Sequence, residues 1–317
     1  MIVLQIELAL PDGFLDEEVR CGFHIDRKRK KIWAVELDLL NKFSKVCEEN
    51  GLMYFLDGGT LLGAIRHQGF IPWDDDVDVI MPRKDYDRLF EIAEDVFQEP
   101  YFFQTTLTED DFFRTHAQLR NSSTTGFILA DARKPQINKG IWLDVFPLDE
   151  VADCWIAKRL QRTRIRRKAE FMRLACVDDP TCLKSVKEQR IWKKAKTYYK
   201  THDLKSDFVY FNEKILAAYK GKNTRMVGDL SLDWRESCIW LKTHYAGYCY
   251  LPFEFLKLRA PLFYKEIMTR QYGDFMKMPK DVMHAEGSHG SAFFDPDTSY
   301  NEVDIKAILT EKDEVKE

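Results

Sequence analysis

Residues 56–83 read LDGGTLLGAIRHQGFIPWDDDVDVIMPR. The stretch joins a glycine pair, Gly58 and Gly59, to four acids within five positions: Asp74, Asp75, Asp76 and Asp78. Side chains on an extended strand alternate between faces. Asp76-Val77-Asp78-Val79 therefore predicts a strand with both carboxylates on one face and both valines in a core. Two carboxylates held this way suit one or two hard divalent cations. A glycine turn ahead of them lets backbone N–H groups approach an anion closely. Thr60 is read as the cap of a following helix carrying Leu61, Leu62 and Ile65, whose dipole would favour the same anion. Metal ligands beside a phosphate cradle predict phosphoryl or nucleotidyl transfer.

Working outward, Ile32, Val35, Leu39, Phe43 and Val46 recur at helical spacing and predict a helix over 30–49, stopped by Gly51. Leu52 to Leu56 reads as a short buried strand. Gly69 and Pro72 break the helix after the glycines, Pro82 ends the acid strand, and 85–97 reads as helix again. Strands are expected at 101–105, 115–119, 127–129 and 142–146, the last closed by Pro147. The order predicts an α/β (α+β) fold built on one mixed sheet flanked by helices. Asp144, facing opposite to Leu143 and Val145, is the candidate third carboxylate. Such a group bridges a metal or takes the proton of an attacking hydroxyl. Asp149 is read as a turn or cap residue.

The chain has 317 residues, 45% of them hydrophobic, and a net charge of −4, which argues against general nucleic-acid binding. The start, MIVLQIELAL, is too short and polar for a membrane span, lacks the features of a leader, and reads as an edge strand. Seven cysteines without a CxxC spacing predict reduced thiols in a cytoplasmic protein. From Cys154 to Lys200, fifteen Lys/Arg stand against four Asp/Glu in a helical-looking stretch. That stretch admits three readings: a solvated face, peripheral contact with an anionic membrane or lipid-pyrophosphate acceptor, or binding of acidic glycans or nucleic acid. The expected organisation is an N-terminal arm (1–29), a catalytic core (30–153), a basic helical region (154–225), a C-terminal completion of the catalytic domain (226–300) and a loosely ordered charged tail (301–317). Within the completing part, 234–255 reads as irregular and 261–272 as a last helix with Pro261 at its start. His284, His289, Cys176 and Cys182 match no familiar zinc spacing.

The run GTLLGAIRHQGFIPWDDDVDVIMPRKDY (59–86) resembles the signature of the LicD family. WLDVFPLD (142–149) and YGDFMKMP (272–279) follow in the family's order, so the resemblance covers roughly 30–279. It implies a nucleotidyltransferase-like fold and an enzyme that moves a phospho-alcohol, such as phosphocholine, from a CDP-activated donor. The acceptor would be a hydroxyl of a glycan, polyol or lipid-linked oligosaccharide in surface polysaccharide synthesis, with the protein cytoplasmic or peripheral at the inner face of the cell membrane. It further implies Asp76, Asp78 and Asp144 as catalytic residues and ligands of Mg²⁺ or Mn²⁺.

Around that trio, Gly58, Gly59 and Thr60 are the expected phosphate contacts, with Arg66, His67 and Arg83 supplying charge to the donor. Asp74 and Asp75 would support the ligands or set the turn, and Trp73 would hold that turn or stack on a base. Trp73, Trp142, Trp240, Tyr245, Tyr248 and Tyr250 offer faces to a quaternary ammonium. Three other readings compete. One is a nucleotidyltransferase using an NTP, which would release pyrophosphate. Another is an Asp-x-Asp glycosyltransferase, against which the glycine turn argues. The third is a non-catalytic protein that docks on membrane.

Overall fold

The computed structural model describes residues 4–132, 134, 136–231, 234–278 and 292–314; Pro279, His284 and His289 fall outside them. Its first long helix, α1 (Arg27–Glu49), begins three residues before the expected start at 30 because Asp26 caps it, accepting from the Arg29 N–H at 2.8 Å. Trp33, Leu37, Leu40 and Phe43 bury its inner face against a seven-stranded sheet. The strands are β1 (Phe55–Leu56), β2 (Asp78–Pro82), β3 (Tyr101–Gln104), β4 (Ala117–Asn121), β5 (Ile141–Val151), β6 (Met226–Asp229) and β7 (Ile239–Leu241). They run β7-β6-β5-β2-β1, with β4 also on β5 and β3 on β4. The sheet is mixed, as expected: β2 and β5 are parallel and the other pairs antiparallel. A parallel pair needs a long crossover, which here holds α3 (Arg83–Val96), β3 and β4.

β5 is the spine, and it corrects the expected stop at Pro147. The strand runs four residues past that proline. One edge of β5 pairs with β4 as far as Val145 and with β6 from Leu148, so Pro147 falls in the gap between two partners. A proline is tolerated where no ladder donor is required. Against its other edge, β2 sets Asp78 opposite Asp144 and Val79 opposite Val145. Val77, Val79 and Val145 are fully buried. Each such burial contributes roughly 1.5–3 kcal/mol, and a one-residue slip would turn valines outward and carboxylates inward. The register of the acids is therefore held by the valines between them.

Other expectations need correction. Residues 4–10 form no strand; the N–H groups of Glu7 and Leu8 are instead taken by Asp38 Oδ1 of α1, at 3.0 and 2.8 Å. The 234–255 region contains β7 and the first strand of a hairpin, Tyr248–Phe253 with Leu256–Pro261. Pro261 ends that hairpin, and the last helix of the catalytic part starts later, at Tyr264–Tyr272. Within the charged tail, Ile305–Glu314 is helical.

The basic stretch 154–200 forms two α-helices, α4 (Trp155–Ala175) and α5 (Val186–Tyr198). Ile165 and Met172 of α4 join Phe208, Phe211 and Trp234 in a small core that reaches Val151 and Ile239 at the ends of β5 and β7. Its cationic face is thereby pinned to one end of the sheet. Among the described residues, no helix is long and apolar enough to cross a membrane.

Candidate active site

β1 leads directly into α2 (Gly58–Arg66), and Asp57 is its N-cap. The glycines thus form the first turn of the helix instead of preceding it, and Thr60 is not the cap. The Thr60 hydroxyl accepts from the Asp78 N–H at 2.7 Å, while the Asp57 N–H donates to the Asp78 carbonyl at 3.1 Å. These two bonds tie the helix start to the start of β2. Gly58 has φ +51°, a left-handed conformation that favours glycine, and a Cβ there would lie 3.1 Å from Asp78 Oδ2. A Cβ on Gly59 would lie 2.6 Å from Asp74 Oδ2. The glycine pair is required because two carboxylates sit against it.

The strand begins at Asp78, so Asp76 lies just before it, although the alternation of burial extends back through Val77. A cavity of about 280 Å³ opens at this point. Asp57, Gly58, Gly59, Asp74, Asp76 and Asp78 form one wall. Phe146 and Asp229 come from β5 and β6, Trp240 from β7, and Gln271 and Tyr272 from the last helix of the catalytic part. Among the described residues, Arg235 is the only Lys or Arg on its lining. Among the described residues, three buried polar atoms here have no hydrogen-bond partner: Asp57 Oδ1, Trp240 Nε1 and Gln271 Oε1. Buried polar groups are ordinarily paired, so three orphans around one acid-lined cavity make it the candidate site.

The electrostatics agree. Burial, then the charges of Asp76, Asp144 and Asp57, pushes Asp78 well above the carboxylate range. Burial and the charge of Asp229 raise Asp57 to about 7, offset only by the Gly58 N–H. Burial also raises Asp229, and the Tyr272 phenol is pushed up by burial and by Asp57, Asp78 and Asp74. Asp144 behaves oppositely. Although burial raises it, His116 at 3.1 Å, the charge of Arg114 and a 2.7 Å bond from Gln118 hold it well below the usual range. The Trp142 Nε1–H donates to its other oxygen at 2.9 Å. Asp144 is a fixed anion beside carboxylates that resist ionising together.

Asp74, Asp75 and Asp76 offer carboxylate oxygens within 4.8 Å of one another, an all-oxygen set of the kind Mg²⁺ and Mn²⁺ take. Behind them, Glu36 of α1 is buried with neither oxygen partnered. Burial and the charges of Asp76 and Asp75 push its pKa well up. The orphaned oxygens, the crowded acids and the space kept by Gly58 and Gly59 all fit a bound divalent cation.

Other expected residues stand elsewhere. Arg66 and His67 are at the far end of α2, roughly 12 Å along the helix from Gly58. Arg66 donates to His67 Nε2 at 2.9 Å and to the Phe275 carbonyl at 3.3 Å. Burial, with the charges of Arg66 and Arg20, lowers His67 to about 4. Trp73 meets Phe23 and His67 edge-on and is not on the cavity wall. Arg83 is buried in a two-pronged pair with Asp149, both bonds 2.7 Å, so Asp149 is an ion-pair partner and not a cap.

Asp57, Asp229, Glu36, Arg235 and Gln271 went unread in the sequence. An acid directly before Gly-Gly at a helix start is a signal that could have found Asp57. Tyr272 carries the Tyr-Gly-Asp echo, and the fold brings it to the acids.

Residues 51–172 match the family model described as LicD/FKTN/FKRP, nucleotidyltransferase domain. Lipopolysaccharide cholinephosphotransferase LicD of Haemophilus influenzae is 27% identical over 253 residues, covering 77% of this chain and 90% of that protein. Ribitol 5-phosphate transferase FKRP of Mus musculus and of Homo sapiens is 35% identical over 103 residues, 31% of this chain and 21% of each relative.

Proposed function

We propose that this chain, whose residues 51–172 match the LicD/FKTN/FKRP nucleotidyltransferase-domain model, is a phosphotransferase moving a phospho-alcohol from a CDP-activated donor to a glycan or polyol hydroxyl. The relatives' names point to phosphocholine or a polyol phosphate as the group moved. What carries this reading is Asp78 and Asp144 in register on adjacent parallel strands, beside a glycine helix start and a cavity with orphaned polar atoms. Asp76, Asp78 and Asp144 would hold Mg²⁺ or Mn²⁺, with Asp74 and Asp75 beside them. The cation, when bound, supplies positive charge against the donor's diphosphate.

The chain's own residues do the rest. Gly58 and Gly59 keep the wall thin at the helix start, where backbone N–H groups favour an anion. Arg235 adds the cation that the acids lack. Asp144, held ionised by three donors, serves as a fixed charge more readily than as a base. The acceptor oxygen forms a bond to the donor's distal phosphorus, the bond from that phosphorus to the bridging oxygen breaks, CMP leaves, and the hydroxyl proton passes to solvent or a cavity carboxylate. The protein contributes positioning and charge stabilisation.

The test is turnover of CDP-choline, CDP-ribitol, CDP-glycerol and the four NTPs with Mg²⁺, Mn²⁺ or EDTA, for the wild type and Asp76→Asn. The expected outcome is metal-dependent CMP release from one CDP-alcohol, reduced on the order of 10²-fold or more in the variant. Pyrophosphate released from an NTP would instead make the protein a nucleotidyltransferase.

A further inference from the structure

A cavity of about 390 Å³ meets the candidate site through one imidazole, that of His116. It lies between α3, the turn after β3, the residue before β4 and the segment 209–220. Tyr86 and Phe90 of α3, with ring centroids 4.9 Å apart, line it together with Leu107 and Val209. A volume of this size walled by rings and aliphatic groups suits a small molecule.

The charges on its wall are already paired. Arg83 is held by Asp149 and Asp87, Lys220 pairs with Asp87 at 2.6 Å, and Lys214 with Glu213 at 3.7 Å. The threonine hydroxyls are engaged as well: Thr106 donates to the Arg114 carbonyl, and Thr105 accepts from the Leu107 and Thr108 N–H groups. Two polar atoms of the lining residues are left over. His116 Nδ1 and Asn212 Oδ1 are buried and, among the described residues, have no hydrogen-bond partner. His116 as a whole is only 7% exposed. The Asn212 amide is oriented by its nitrogen, which donates to the Arg114 carbonyl at 3.4 Å, so the oxygen is the end left over. Asn212 also stands in a π-helical turn, Phe211–Ile215, a break in the α pattern that recurs at functional sites.

We propose that this cavity is an effector pocket for a small, uncharged aromatic ring bearing two hydroxyl groups. Asn212 Oδ1 requires a donor. His116 Nδ1 accepts in the neutral ring and donates in the cation, so a hydroxyl serves both positions. With its charges paired, the wall favours an uncharged ligand, and the rings of Tyr86 and Phe90 suit an aromatic one. Occupancy is read at the candidate site because the imidazole has a second nitrogen. His116 Nε2 lies 3.1 Å from Asp144 Oδ1, and its ring packs on Phe146 of the acid-cavity wall with centroids 4.6 Å apart. A ligand that fixes Nδ1 thereby fixes the ring that orients Asp144. Calling the ligand an effector rests on the transfer reading of the acid cavity; the binding itself does not.

The probe is resorcinol, with 1,3-dimethoxybenzene, the same ring without donors, as its control. Binding is read by saturation-transfer NMR titration in EDTA and without donor, so that it is independent of turnover. Wild type is expected to bind resorcinol about tenfold or more tighter than the ether, the worth of one or two buried hydrogen bonds. Asn212→Leu, which removes the acceptor, loses most of that preference. Leu107→Trp, at an exposed position of the wall, fills the cavity mouth and weakens both probes with unchanged circular dichroism. In protein labelled at the histidine ring nitrogens, resorcinol shifts the His116 signals, assigned by their loss in His116→Gln. No binding, equal binding of the two probes, or binding unchanged in both variants would overturn the pocket. His116 signals that stay still at saturation would overturn its link to Asp144. A failed transfer assay would leave the binding result standing.

Discussion

The two ends of the β2–β5 strand pair solve one problem in opposite ways. At the end where β2 begins, Asp78 faces Asp144, with Asp57 and Asp229 close by. Among the described residues, no Lys or Arg lies within ion-pair distance of Asp78 or Asp57. Past the other end, five residues along each strand, Arg83 grips Asp149 with two bonds in a fully buried pair. Both ends bury carboxylates, and an unpaired buried charge is expensive. The fold supplies a paired arginine at one end, whereas at the other Asp57 and Asp78 have no basic side chain within ion-pair distance among the described residues. That difference is what makes the first end the candidate site.

The largest expected effect lies at the compensated end. Arg83→Met leaves Asp149 buried without its partner and should cost about 3–5 kcal/mol, read as a lower denaturant midpoint. Adding Asp149→Leu should recover most of that loss, because a well-packed apolar pair replaces the ion pair at little cost. If Arg83→Met unfolded no more easily than wild type, the two ends would not differ as claimed.

At the uncompensated end the sign reverses. Asp57 has its pKa raised to about 7, so the folded state holds a proton that the unfolded chain, near 3.8, has given up. Stability from this group is fully present below about pH 4 and is lost as pH rises toward 7. In metal-free protein Asp57→Asn should therefore gain on wild type across that window, by about 4 kcal/mol, and then level off. Denaturation at a series of pH values in EDTA measures it. A difference between the two proteins that did not change with pH would mean that Asp57 already has its counter-charge.

Much of the frame behind this contrast was legible. Val77 and Val79 between acids, and the apolar row of α1, are local patterns whose periods name their elements. Partners brought from afar were not. Asp149 lies 66 residues from Arg83 and reads alone as a turn acid, and Arg83 alone reads as a phosphate ligand. Asp229 and Tyr272 reach the same cavity only because β6 pairs beside β5 and the helix Tyr264–Tyr272 lines that cavity too. Glu36 is hidden in an otherwise regular amphipathic helix, where one acid among apolar neighbours carries no period of its own. Pro147 misled because a strand with different partners along one edge can hold a proline in the gap.

The smallest effect extends the contrast to the surface. Asp87 also faces Arg83, at 3.4 Å, but it sits one turn along α3 and pairs outward with Lys220 at 2.6 Å. Both Asp87 and Lys220 are about a third or more exposed, so water and salt screen what they gain. Exposed pairs are typically worth about 0–1 kcal/mol. Asp87→Ala should thus shift stability by less than 1 kcal/mol, and raising the salt should shrink the difference further. Arg83→Met tested in the same buffers should keep its full cost, because its partner is dry. If Asp87→Ala cost as much as Arg83→Met, the arginine would be held by both acids as one network, and the Arg83–Asp149 pair could no longer stand as the self-sufficient counterpart of the open acid end.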